Sequence, residues 1–188
     1  YATTIDYLQM CDNVVWFNHF ADTKIHHEYD GSDKLPVVRS TRGAGGSQFM
    51  EHLSYVMPNK FININGLHGE NYGKFLSNSK IVLQNSRWKE ITRRIFEGMA
   101  CGKLVITDRL PEKTNIDKLF VENEDIVYYD NISDCISKIN YYLCAEGEQD
   151  RLRIAKNGYL KTIKNHTQKN RVDLILENYV KWKENSQL

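Results

Sequence analysis

Short β-rich runs alternate with longer helical periods along most of the chain, and this alternation restricts the fold more than any other feature. It argues for a parallel sheet with helices packed against it. Residues 14–18, 35–40, 60–65, 80–84, 103–107 and 125–129 read as strands. Helical spacing appears at residues 48–56, with Phe49, Leu53 and Val56 on one face, and at 70–78, with Tyr72, Phe75 and Leu76 inward. Further helices are expected at 91–101, 133–143, 149–165 and 168–183. Gly102 stands where a left-handed C-terminal cap belongs. The expected class is α/β, a Rossmann-like parallel sheet flanked by helices, with no internal repeat or flexible linker.

A length of 188 residues can bury a core without staples. The formal net charge of +1 gives no global electrostatic reason to expect nucleic acid as a partner. Charge is nevertheless uneven. Residues 112–150 carry ten acids and three bases, and residues 151–171 carry seven bases and no acid. That basic stretch reads either as a solvated helix face or as a peripheral contact for an anionic membrane or a polyanion. Of the four cysteines, Cys101 and Cys135 fall on apolar periodicities and read as small core residues. No Cys-x-x-Cys pair occurs, and a reducing compartment, the cytoplasm, is expected. No apolar run reaches the roughly 18 residues of a membrane helix. Tyr1 is not an initiator methionine, which leaves a fragment or a processed product as readings.

The segment richest in chemistry follows the strand at 80–84. A loop at 85–90 opens a helix that begins Ile91-Thr-Arg-Arg-Ile-Phe-Glu97. In a doubly wound sheet, ligands sit beyond the carboxyl ends of the strands. The first turn of such a helix offers free N–H groups and partial positive charge to a phosphate. Arg93 and Arg94 can add charge-assisted bonds to a diphosphate. Glu97 can accept from the two hydroxyls of a ribose, because a carboxylate offers several lone pairs in one plane. The plainer alternative is that Gly98, Ala100 and Gly102 serve close helix–strand packing and that Glu97 is a surface carboxylate.

The run Glu97-Gly-Met-Ala-Cys-Gly102-Lys-Leu-Val-Ile-Thr-Asp108 resembles the Glu-Ala-Met-Ala-Cys-Gly segment of GT-B-fold glycosyltransferases. Asp125-Ile-Val-Tyr-Tyr-Asp130 looks like that family's next strand. Ile154-Ala-Lys-Asn-Gly158 and Asn165-His166-Thr167, followed by Arg171, look like its closing helices. Arg94-Ile-Phe-Glu97 is most similar to the form found in the CgeB-like, or spore-maturation-protein-like, subgroup. The resemblance spans about residues 60–180. It implies one half of a GT-B fold, the nucleotide-sugar-binding C-terminal domain. It also implies that Glu97 binds the nucleotide ribose. Glu90, with six residues between it and Glu97 where the family usually has seven, is the candidate for contact with the donor sugar. Gly66 resembles the base-binding loop, whose neighbours Leu67 and His68 would line the base pocket.

The glycine-rich stretch at 42–47 precedes a helix and holds Gly46 and Ser47. Its glycines would let backbone approach phosphate, and Ser47 could cap the helix. A plain turn is the alternative, and the spacing is not that of a P-loop. His26 and His27 are adjacent, so on one element they point apart, and no metal site is expected. The family similarly implies enzymes without a bound metal or cofactor, in which cations and helix dipoles stabilise the leaving diphosphate. Residues 1–33 would be a connecting segment or the remnant of an N-terminal acceptor domain, and 34–188 the nucleotide-sugar-binding domain. The leading expectation is sugar transfer from a nucleoside-diphosphate sugar to an acceptor hydroxyl on a glycan, protein or small molecule, with Arg94 as the catalytic cation. The alternatives are a non-catalytic nucleotide-sugar-binding module and an interaction module that docks through its basic C-terminal helix.

Overall fold

Strand β1 (Leu35–Thr41) lies second from one edge of a five-stranded sheet in the computed structural model, which describes residues 15–29, 33–41 and 48–185. On one side it pairs with β2 (Phe61–Asn65), and on the other with β3 (Ser79–Gln84). Strands β4 (Leu104–Asp108) and β5 (Val127–Tyr129) extend the sheet beyond β3. Every pairing is parallel, and the order is β2–β1–β3–β4–β5.

Parallel strands linked by helical crossovers are covered on both faces, so their side chains are apolar on both. Here Val38, Val82, Val105 and Tyr128 face one layer of helices, α2 (Gly69–Ser77) and α3 (Arg93–Ala100). Ile95, Phe96 and Met99 of α3 are fully buried on that side. Val37, Ile81, Leu83, Leu104 and Ile106 face the other layer. That layer comprises α1 (Gln48–Val56), α4 (Ile132–Leu143) and the first half of α5 (Ala145–Asn165), whose second half crosses to meet Met99 of α3 through Gly158 and Thr162. The last helix is α6 (Gln168–Asn185). Cys101 and Cys135 are both fully buried, and burial pushes each thiol up to about 12.

Helix α3 approaches the sheet closely because Gly98 lacks a side chain. A Cβ there would stand 3.0 Å from Val82 and from Val105. The helix ends in the expected way. Gly102 has φ +72°, its N–H donates to the Met99 carbonyl at 2.9 Å, and the Lys103 N–H donates to the Gly98 carbonyl at 3.1 Å. These paired bonds form a Schellman cap.

Two expectations need correction. Residues 15–18 of the run 14–18 are not a strand, and Val14 lies outside the described residues. The segment instead pairs with the turn between α5 and α6 at an isolated bridge, Ala21 to Thr167. The strand expected at 125–129 is shorter, Val127–Tyr129, because Asp125 closes a turn. Its carboxylate accepts from the Val121 N–H at 3.0 Å and pairs with Lys161 at 2.5 Å.

The basic stretch at 151–171 does not form one free face. Arg151 meets Glu148 and Arg153 meets Asp150, while Lys161 meets Asp125 and Lys169 meets Asp173. Arg171 is buried and donates to the carbonyls of Asn18, His19 and Asn165. It thereby ties residues 15–29 to the domain. Among the described residues no helix is long and apolar enough to cross a membrane.

Candidate functional site

The strand order reverses between β1 and β3, and an open α/β sheet has its ligand crevice at the carboxyl ends flanking such a reversal. A cleft of about 480 Å³ opens there, within the usual range for small-ligand sites. Residues 15–29 contribute His19, Ile25 and His26. Strand β1 contributes Arg39 and Ser40, and β3 with its following loop contributes Gln84, Asn85, Arg87, Glu90 and Thr92. Leu67 and His68 come from the β2–α2 connection, Gly69 and Tyr72 from the start of α2, and Arg93, Arg94 and Glu97 from the start of α3.

The floor of the cleft is cationic. Arg94 donates to the Gln84 side-chain oxygen and to the Ser40 carbonyl, both neutral groups, and meets no carboxylate among the described residues. Arg39 is 9% exposed, and its Nε and Nη1 have no hydrogen-bond partner among the described residues. Burial, and then the neighbouring Arg94 guanidinium, pull the Arg39 pKa down to about 10, which still leaves it charged at neutral pH. A buried cation with unused donors is costly by itself and calls for an anion. Helix α3 adds to this charge. Its N-cap, Thr92, makes no side-chain cap, the first turn holds no acid, and Thr92 Oγ1 is buried without a partner among the described residues. The Ile95 N–H donates to the Thr92 carbonyl at 3.3 Å, and the Arg93 and Arg94 amides of that turn are the ones available to an anion.

One helical turn along α3, the chemistry reverses. Glu97 is 6% exposed. The Tyr72 hydroxyl donates to Glu97 Oε2 at 2.9 Å. Arg93 Nε stands 3.4 Å and His26 Nε2 3.8 Å from Oε1. Burial, and then the Glu97 charge, raise the Tyr72 phenol above its ordinary range, so it remains a donor. Glu97 is thus a held, buried carboxylate, and the surface alternative fails.

The loop between β3 and α3 is pinned from β4. Asp108, 2% exposed, accepts from the Ser86 N–H at 2.8 Å, the Ser86 hydroxyl at 2.6 Å and Lys89 Nζ at 2.9 Å. Lys89 takes a left-handed conformation with φ +52°. The same loop carries Glu90, exposed on the rim of the cleft.

Of the residues singled out from sequence, Arg94, Glu97, Glu90 and His68 all line this cleft. Gly66 does not line it. With φ +79°, it turns the chain from β2 into Leu67 and His68, which do. Gly46 and Ser47 lie outside the described residues. His26 and His27 do point apart, with His26 buried and His27 stacked on Tyr29 at 4.1 Å. Sequence reasoning missed Arg39, His26 as a cleft residue, and the polar role of Tyr72. The signal for Arg39 was a lone charge inside an otherwise buried apolar strand.

The glycosyl transferase-like family profile matches residues 42–177, which is most of the chain. The chain belongs to that family. Solved structures agree on the fold. The C-terminal domain of a group 1 family glycosyl transferase from Francisella tularensis superposes with a TM-score of 0.60 at 13% identity, covering 79% of this chain and 99% of that one. HepE from Anabaena, solved in complex with UDP and glucose, superposes at 0.68 with 14% identity, covering 89% of this chain and 57% of that one. Sucrose-phosphate synthase from Thermosynechococcus elongatus superposes at 0.66 with 11% identity, covering 88% and 52%. This glycosyl transferase-like chain therefore spans little more than half the length of the last two, and its sheet is that of a GT-B C-terminal domain. No protein with a curated description matches it in sequence.

Proposed function

We propose that this chain is the donor-binding half of a glycosyltransferase that moves a sugar from a nucleoside-diphosphate sugar to an acceptor hydroxyl. The observation that carries the reading is the pair of guanidiniums, Arg39 and Arg94, at the carboxyl ends of β1 and β3 with no carboxylate among the described residues to neutralise them. A diphosphate supplies the missing charge and can use the free amides of α3 as well. Glu97, one helical turn further along, suits the adjoining ribose, and Glu90 on the rim suits the donor sugar. Gly66 shapes the turn that brings Leu67 and His68 to the base. HepE, with the same fold, binds UDP and glucose, which supports this assignment of the cleft. The form Arg94-Ile-Phe-Glu97 supports a place near the spore-maturation-protein-like branch. Free thiols at Cys101, Cys135 and Cys144 suit the cytoplasm.

When the bond between the sugar and the diphosphate breaks, negative charge gathers on the departing diphosphate. Cations already aimed at that position stabilise the transition state more than the ground state. Arg94 is held for this by Gln84 and Ser40, so little reorganisation is needed as charge develops. Arg94→Ala, made in the full native protein, is expected to lower kcat at saturating donor by about 10²–10³, well beyond its effect on donor affinity. Unchanged kcat would remove the catalytic role. Donor binding with no turnover in the wild type would leave a binding module.

A further inference from the structure

His26 is a histidine that its surroundings do not explain. It is 3% exposed, lines the cleft, and neither ring nitrogen has a hydrogen-bond partner among the described residues. Two unpaired polar atoms buried on one small ring are costly unless a ligand completes them. The ring is not loose. It packs edge-on against Tyr72, centroids 5.8 Å apart at 82°. The His26 N–H donates to the Asp22 carbonyl at 2.7 Å, which fixes the backbone.

The gap between His26 and Glu97 has a telling size. Nε2 to Oε1 is 3.8 Å, too long for a direct hydrogen bond. An oxygen placed to one side, about 2.7–2.9 Å from both atoms, would subtend an angle near 90°. A hydroxyl fits that position in both senses. Its oxygen accepts from an imidazole N–H while its proton goes to the carboxylate. A phosphate oxygen does not fit, since it carries no proton for Glu97 and shares its charge. Burial holds the imidazole below its ordinary pKa despite Glu97, so at neutral pH the ring is neutral with one N–H. With that proton on Nε2, the nitrogen facing the carboxylate, the ring donates to the hydroxyl.

We propose that His26 and Glu97 together grip one ribose hydroxyl of the donor, and that His26 makes the site select ribonucleotides over their deoxy counterparts. The inference rests on the reading of the cleft as a nucleotide-sugar site and adds a specificity residue to it. It follows from the general rule that a site built to hydrogen-bond a hydroxyl rejects the analogue lacking it, because the site's own polar groups are then left unpaired.

The test is titration calorimetry with ADP, GDP, CDP and UDP, followed by the 2′-deoxy and 3′-deoxy forms of whichever binds. The wild type is expected to bind the ribonucleotide at least about tenfold tighter than one of the deoxy forms. His26→Phe, which keeps the ring and its edge contact with Tyr72, is expected to reduce that ratio several-fold. His26→Gln, whose amide places an N–H near the Nε2 position, is expected to restore part of it. An unchanged ratio in His26→Phe overturns the proposal while leaving the nucleotide reading intact. Failure of all four nucleotides to bind the wild type overturns both. A measurement on the wild type covers the case of a variant that does not fold. The His26 ring 15N signals are expected to shift at saturation with the ribonucleotide and not with the discriminated deoxy form. Equal shifts with both overturn the proposal.

Discussion

The Tyr72 hydroxyl donates to Glu97 Oε2 at 2.9 Å and so locks α2 to α3 along the wall of the cleft. The bond fixes one carboxylate oxygen and leaves Oε1 toward Arg93, His26 and the cleft. Tyr72→Phe removes one partner of a buried charge and keeps the ring. The loss is expected to destabilise the fold by about 1–3 kcal/mol. It is also expected to weaken nucleotide binding several-fold, because Glu97 is no longer held toward the ligand. Denaturant unfolding and calorimetric binding check the two effects separately. Unchanged stability would mean that the hydrogen bond is not formed in solution.

The link between the first described segment and the C-terminal helices is expected to fail in acid. Arg171 Nη2 lies 2.7 Å from His166 Nδ1. A guanidinium can only donate, so Nδ1 must be bare and the ring neutral. Phe96 and Phe120 enclose the ring at 5.3 and 5.4 Å. Burial first, and then the Arg171 charge, hold its pKa down at about 4. The folded value is below the unfolded one, so the unfolded chain binds the extra proton first. The contribution is fully present above about pH 6.5 and is lost as pH falls through about 4. Its size is of the order of 3 kcal/mol. His166→Gln can still accept from Arg171 and does not titrate, so its stability is expected to fall less steeply between pH 6.5 and 4. Identical acid profiles for the variant and the wild type would contradict this.

The parts of the fold legible in the sequence were those encoded locally. Helix α3 and strand β4 announced themselves through an apolar run, small residues and Gly102 at the cap. Arg94 and Glu97 could be placed on one helix because they lie three positions apart. The N-terminal segment could not be read this way. Residues 15–29 have no repeating pattern and are held by Arg171, Thr167 and Gln168, well over a hundred positions away. That segment carries His26 into the cleft, so His26 looked like half of a histidine pair. Tyr72 read as an inward apolar residue, since helical spacing shows which side is buried and not where a hydroxyl points. Arg39 sat in a strand whose register with β2 and β3 no local signal reveals.

The central claim is that the cleft is built for a nucleoside diphosphate around the two guanidiniums. Arg39→Met separates this from a structural role, because it removes the unpartnered donors and keeps the aliphatic stem. The measurement is paired: calorimetric affinity for a nucleoside diphosphate and its parent nucleoside, and the melting temperature without ligand. The diphosphate is expected to bind the wild type far more tightly than the nucleoside. Arg39→Met is expected to weaken diphosphate binding by about 1.5–3 kcal/mol while the melting temperature without ligand stays level or rises, since a buried unpaired charge has gone. A variant that binds the diphosphate as well as the wild type does would contradict the account.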